Sequence, residues 1–311
     1  MSASRDALDP RALVRIRDLE LRARTIVAGM HRGLHRSPLP GLSIEFTEYR
    51  PYAPGDDLRF LDWKRFARSD RPYVKRFEDE TNLRCWFLID ASRSMEFGSE
   101  GVTKFEYART LTATLAYLLL ERHDAVGIAR FAGDVERFVP ARFRVRQWQH
   151  LLATLAAAPT GEATDPVRSL EHFSRLVNRR GLVVLVSDCL TDPEGLERSL
   201  GMLRGRGQDL ILLQLLDPRE TALAPEDPYQ VRDLETGRRI VIDPRRAAED
   251  YRRRFEAHQQ RLDELAKRLG ADRFVVMTDR PLDEALAAAL LARSRRLAGR
   301  VLRRERIGGS R

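Results

Sequence analysis

The chain has 311 residues, 43% of them hydrophobic, enough to bury one large core or two small ones. Its longest apolar runs, Leu210–Leu216 and Ala285–Ala292, fall short of the roughly 18 residues a membrane span needs, and the N-terminus lacks the layout of an export signal. Two cysteines, Cys85 and Cys189, are too few for a disulfide framework, so a cytoplasmic protein without a membrane span is expected.

The formal net charge of +9 rests on 55 basic residues, of which only four are lysine: Lys64, Lys75, Lys104 and Lys267. Eight arginines lie between Arg293 and Arg311 against the single acid Glu305, which leaves the rest of the chain near neutral. That balance predicts no nucleic-acid partner.

In chain order, Asp9 and Pro10 read as a helix cap and first position, with Leu13, Ile16, Leu19, Ala23 and Ile26 on one face and Gly29 and Gly33 as breakers. Residues 43–82 alternate strand-like pieces (Ser43–Tyr49, Tyr73–Phe77) with a turn at "YAPGDD" and a helical stretch around Leu61–Ala67. Five compact apolar runs follow: Cys85–Ile89, Ala125–Phe131, Leu182–Val186, Leu210–Leu216 and Phe274–Met277. Such runs suit strands buried on both faces of a parallel sheet. Helical patterns separate them at Phe105–Glu121, Val145–Ala157, Val167–Asn178, Gly195–Arg204 and Ala247–Leu269. Gly133–Asp134 predicts a hairpin to an edge strand, Val135–Val139.

The expected fold class is α/β, a doubly wound, mostly parallel sheet flanked by helices over residues 83–300. A helical and β extension over 1–82 precedes it, packed on the core. Residues 217–244 read as an insertion with a hairpin around Glu235–Thr236–Gly237. An amphipathic helix is predicted from Pro281 to about Arg304, with a basic tail at 301–311.

In such sheets ligands bind beyond the carboxyl ends of the strands. The stretch "FLIDASRSM", residues 87–95, ends the first run with Asp90, Ser92 and Ser94. Asp188 follows the third run, Asp217 the fourth and Asp279 the fifth, while "GEATDP" places Thr164 in a loop before a helix. Asp90, Ser92, Ser94, Thr164 and Asp188 are all hard oxygen donors, with no histidine beside them. That set suits Mg²⁺, tolerates Mn²⁺ and disfavours zinc. Alone, Asp-x-Ser-x-Ser reads equally as a capped turn.

The order and loop placement of these residues resemble the metal-ion-dependent adhesion site of von Willebrand factor type A domains. The segment "EFTEYRPYAPGDDLRFLDWKRFARSDRPYVKRFEDE", Glu45 to Glu80, resembles the signature of the bacterial family called domain of unknown function 58. The resemblance implies a type A-like fold in which Ser92, Ser94 and Thr164 contact the metal directly or through water. Asp90 and Asp188 would hold the waters and balance charge, and a partner's carboxylate would take an open coordination position. It also implies a MoxR-type AAA+ ATPase as partner. Many family members carry N-terminal membrane helices, and this sequence shows no such run.

Other residues read more plainly. Asp217 is expected to cap a turn, Asp279–Arg280–Pro281 the last helix, and Cys189 to be a buried, inert thiol. His31 and His35 lack a third ligand for zinc. Arg50, Asp56, Asp57, Arg59 and Asp62 read as an internal salt-bridge network or a partner surface, and Trp63 as core. A haloacid-dehalogenase-like phosphatase also ends its first strand with a nucleophilic aspartate, but needs an acid two residues on, where this chain has Ser92. "GSEGVTK", residues 98–104, misses phosphate-loop spacing. The sequence therefore predicts a non-enzymatic, metal-dependent protein-interaction module. The alternatives are a phosphoesterase using Asp90, or peripheral membrane contact through the arginine-rich C-terminus.

Overall fold

An apolar run with no polar face is stable as a strand only when helices cover both sides of its sheet. The computed structural model describes residues 10, 13, 18–33, 48–51, 73–76, 83–99, 101–158, 165–221, 229–232 and 238–286. Among them, β3 (Arg84–Asp90), β4 (Ala125–Phe131), β5 (Val135–Arg142), β6 (Leu182–Ser187), β7 (Asp209–Leu216) and β10 (Asp272–Met277) form one sheet in the order β10-β7-β6-β3-β4-β5. All neighbours pair in parallel except β4 and β5. This is the doubly wound, mostly parallel sheet that the sequence predicts.

The strands alternate between two cores, as a period of two requires. Cys85, Phe87 and Ile89 of β3 face the side covered by α1 (Leu19–Gly33), α2 (Lys104–Glu121) and α3 (Gln147–Ala156). Trp86 and Leu88 face α4 (Pro166–Leu176), α5 (Pro193–Gly205) and α7 (Pro244–Leu269). Each fully buried side chain such as Phe87 or Leu88 contributes about 1.5–3 kcal/mol, which fixes the sheet as the frame for the loops at its carboxyl end.

The smaller elements lie outside that sheet. β1 (Glu48–Pro51) pairs antiparallel with β2 (Tyr73–Arg76), and a separate hairpin joins β8 (Tyr229–Arg232) and β9 (Arg239–Ile242). A short helix, α6 (Pro218–Thr221), follows β7.

Two elements differ from the sequence expectation. Asp18 interrupts the predicted N-terminal helix and recaps it: the Glu20 and Leu21 amides donate to its Oδ1 at 2.9 and 3.3 Å. The helix then runs through Gly29, because its buried face docks on α2, where Arg22 donates to Glu106 at 3.1 Å. Strand β5 continues past Val139 to Arg142, through Pro140, which an edge strand tolerates.

The helical stretch at 61–67, Trp63, Asp56, Asp57, Arg59, Asp62, His35, the turn at 235–237 and the basic end at 293–311 lie outside the described residues, as do the side chains of His31 and Arg50.

Asp124 sits where α2 turns into β4. Its Oδ1 accepts the Leu83 amide at 3.0 Å, while its buried Oδ2 finds no donor among the described residues. Burial raises its pKa to about 6. A raised carboxyl pKa gives stability that is present below the unfolded value and lost as pH rises through about 6. Asp124→Asn keeps the Leu83 bond and should stabilise the protein at pH 7 by about 1 kcal/mol, a figure reduced for partial solvent screening. Urea denaturation at pH 7 and pH 4 checks this; the gain should vanish at pH 4.

Candidate metal centre

The site begins where β3 ends. The Ala91 amide still donates to Phe131 of β4 at 2.8 Å, and then the chain turns. The Ser92 amide closes an Asx-type turn onto Asp90 Oδ1 at 3.0 Å. A 3-10 turn, Arg93–Glu96, follows, anchored by the fully buried Met95. These constraints bring the Ser92 and Ser94 hydroxyls into a hydrogen bond of 3.1 Å, in which either can donate. Asp90 and Ser92 are buried, whereas Ser94 is half-buried at the solvent side.

Strand β6 supplies the other wall. Because Ile89 pairs with Val186, the last residues of β3 and β6 are neighbours. Ser187 donates its hydroxyl to Asp90 Oδ2 at 2.6 Å and accepts the Cys189 amide at 2.9 Å. Asp188 Oδ1 accepts the Leu190 amide at 3.1 Å, and its carbonyl oxygen accepts Gln214 Nε2 at 2.9 Å. Cys189 turns the chain with a left-handed φ of 55°, and its own carbonyl accepts from His258 Nε2 at 2.9 Å. Burial pushes the Cys189 thiol up to about 12, so it is inert.

A lysine completes the cluster. Lys104, the first residue of α2, is wholly buried and donates to Asp188 Oδ2 at 2.7 Å and to Glu220 Oε1 of α6 at 2.5 Å. A cation at a helix N-terminus opposes the positive end of the helix dipole, so these two carboxylates must account for its place. Burial alone would lower its pKa, but Asp188 and Glu220 outweigh that and hold the ammonium above its ordinary range. Gly98 lets the preceding loop close: a Cβ there would lie 2.2 Å from the Val102 carbonyl oxygen. Thr103 caps the helix through its hydroxyl to the Glu106 amide at 3.1 Å.

Asp90 behaves differently. Burial, and next the neighbouring Asp188, raise its carboxyl to about 6, against hydrogen bonds from Ser187 and Ser92. Asp217 plays the structural part expected of it. It accepts the Ser99 amide at 2.8 Å, the Ser99 hydroxyl at 2.5 Å and the Arg219 amide at 2.9 Å, fastening the 97–99 loop to α6.

The structure thus brings Asp90, Ser92, Ser94 and Asp188 to the ends of adjacent strands. Thr164 lies outside the described residues; its neighbour Asp165 caps α4 and bonds through its amide to Ala132, just past β4, at 3.1 Å. Ser187, Lys104 and Glu220 are the residues that sequence reasoning missed.

The donor set fits a hard divalent cation. The set's hydroxyls and carboxylates are hard oxygen donors, the kind that such ions prefer. The donors found on Asp90 and Asp188 leave lone pairs for metal-bound waters. No cluster of three or more His, Cys, Asp or Glu side chains suited to a metal occurs among the described residues.

The family model described as "Protein of unknown function DUF58" matches residues 48–264. "Uncharacterized protein Rv1480" of Mycobacterium tuberculosis is 31% identical over 281 residues, covering 88% of this chain and 87% of that one. Among solved structures, the conserved hypothetical protein BatB from Bacteroides thetaiotaomicron aligns with a TM-score of 0.43 at 16% identity, over 68% of this chain and 99% of that one. A von Willebrand factor type A protein from Catenulispora acidiphila aligns at 0.40 and 11%, over 71% of this chain and 43% of that one.

Proposed function

This chain belongs to the DUF58 family, and from that premise and the site's geometry we propose that it is a non-enzymatic, divalent-metal-dependent protein-interaction module. The observation that carries the reading is the convergence of Asp90, Ser92, Ser94 and Asp188 at the ends of β3 and β6, where the two serine hydroxyls lie within hydrogen-bond reach of each other. Charge supports it. Asp90, Asp188 and Glu220 against Lys104 leave two negative charges in excess when ionised, which one Mg²⁺ or Mn²⁺ would balance. The ion would sit on Ser92 and Ser94, and on Thr164 in the resembling motif, with Asp90 and Asp188 holding its waters. Neutral hydroxyl ligands leave an ion electrophilic, so it still attracts an external carboxylate.

The partner in this reading presents an acidic side chain to the ion, and the resemblance points to a MoxR-type AAA+ ATPase, for which this chain would act in the cytoplasm as adaptor or substrate recruiter. No helix among the described residues is long and apolar enough to cross a membrane. A phosphoesterase is less well supported: Ser92 stands where the leaving-group acid would be, and Asp188 is engaged by Lys104.

Immobilised protein should capture a MoxR-type ATPase in Mg²⁺ and lose it in EDTA. Capture unaffected by EDTA would overturn the metal-dependent reading, and hydrolysis of p-nitrophenyl phosphate that Asp90→Asn eliminates would replace it with the enzymatic one.

A further inference from the structure

A second surface lies on the free edge of the sheet. Between β5 and α3 runs an open groove of about 730 Å³, bordered by Arg137, Arg142, Arg144 and Arg146. No acidic side chain among the described residues forms an ion pair with any of the four, although nearby Arg130 pairs with Glu136 at 2.9 Å. Between Glu136 and Glu162 the sequence has no acid at all. The cationic border is therefore not neutralised from within its own segment.

The groove is also apolar. Val139, Pro140, Val145 and Ala153 line it, and Val145 is 101% exposed between Arg144 and Arg146. An occupant must offer both acids and apolar groups. Phosphates of a nucleic acid would meet the arginines but leave Val145 without a partner. The Phe143 ring lies against His123, with centroids 5.0 Å apart, and is no free platform for stacking bases.

Strand addition is disfavoured on this edge. Pro140 has no N–H, and the β4–β5 register shifts between Val126 and Ile128 and again between Arg130 and Phe131. Gln147 Nε2 closes the first irregularity, donating to Val126 at 2.6 Å and Pro140 at 3.0 Å. A second copy pairing edge to edge would meet the same obstacles, so the occupant is gripped by side chains.

We infer that the β5–α3 groove is a docking surface for an acidic, partly apolar segment of a partner protein. It is separate from the metal centre: Arg142 pairs with Val126 at the start of β4, whereas the metal residues lie at the ends of β3 and β6.

A fluorescein-labelled peptide of alternating glutamate and leucine, titrated against the full chain by fluorescence polarisation, tests this. Binding should weaken with added salt and fall at least roughly tenfold in the Arg142→Glu/Arg144→Glu double variant, while the thermal midpoint and metal titration of that variant stay unchanged. Equal binding by the double variant would overturn the assignment. So would equal binding of polyglutamate, which would reduce the surface to bare charge, or tighter binding of single-stranded oligothymidine. Self-association in sedimentation that the double variant abolishes would reassign the groove to a contact between copies.

Discussion

Replacing Lys104 by methionine is expected to lower the stability of the metal-free protein by about 3–5 kcal/mol, because breaking a buried ion pair leaves uncompensated charge behind. Methionine matches the stem in length and apolar character, so the loss reports charge more than volume. The ammonium now satisfies Asp188 and Glu220 at 2.7 and 2.5 Å in a position with no solvent exposure. Without it, the buried Asp188 and the partly buried Glu220 lose their shared counter-charge beside Asp90. Urea denaturation in EDTA checks the size of the effect, and Mg²⁺ should recover part of it by supplying the missing positive charge. A loss under about 1 kcal/mol would mean that water or rearrangement compensates the carboxylates.

Opposite signs are expected for the two aspartates of the motif in metal-free protein. Asp90→Asn should stabilise it at pH 7 by about 1–3 kcal/mol. The folded Asp90 carboxyl is raised to about 6 by burial and by Asp188. Its protonation therefore favours the fold below the unfolded pKa, and that contribution is lost as pH rises through about 6. An asparagine oxygen can still accept the Ser92 amide, and its NH₂ can donate to Ser187. Asp188→Asn should instead destabilise by about 2 kcal/mol, since Lys104 loses its charged acceptor just past β6. Urea titrations of both variants in EDTA at pH 7 and pH 4 separate them. The Asp90→Asn gain should disappear at pH 4; a shared sign at pH 7 would contradict this account of the cluster's charge.

The two variants also mark what the sequence could and could not disclose. The turn holding Asp90, Ser92 and Ser94 was legible because its constraints are local: a buried strand end, an Asx turn and one anchoring methionine. Asp188 was legible because parallel strands bring their carboxyl ends together. Lys104 was not. A lysine beginning a helix reads as a solvated cation, and its burial depends on acids 84 and 116 residues away. Its rarity was the available signal, since only four lysines stand among 55 basic residues. Ser187 was hidden directly after the apolar run Leu182–Val186, where a hydroxyl gives no periodic sign of pointing to a neighbouring strand.

The fold shows the same division. The apolar runs announced the sheet and the Gly133–Asp134 turn its edge strand, but the strand's reach through Pro140 to Arg142 was not legible, because proline carries no N–H and its tolerance here depends on the pairing with β4. Likewise the helical periodicity from Leu13 to Ile26 ran across Asp18, whose side chain recaps the helix instead of continuing it.

Metal binding itself is the claim on which the functional reading depends, and isothermal titration calorimetry of Mg²⁺ and of Mn²⁺ into EDTA-stripped protein tests it most directly. One ion per chain is expected for the wild type, and no detectable heat of binding for Asp90→Asn or Ser92→Ala variants that still unfold cooperatively. Equal binding by the wild type and these folded variants would contradict it, as would the absence of binding by the wild type.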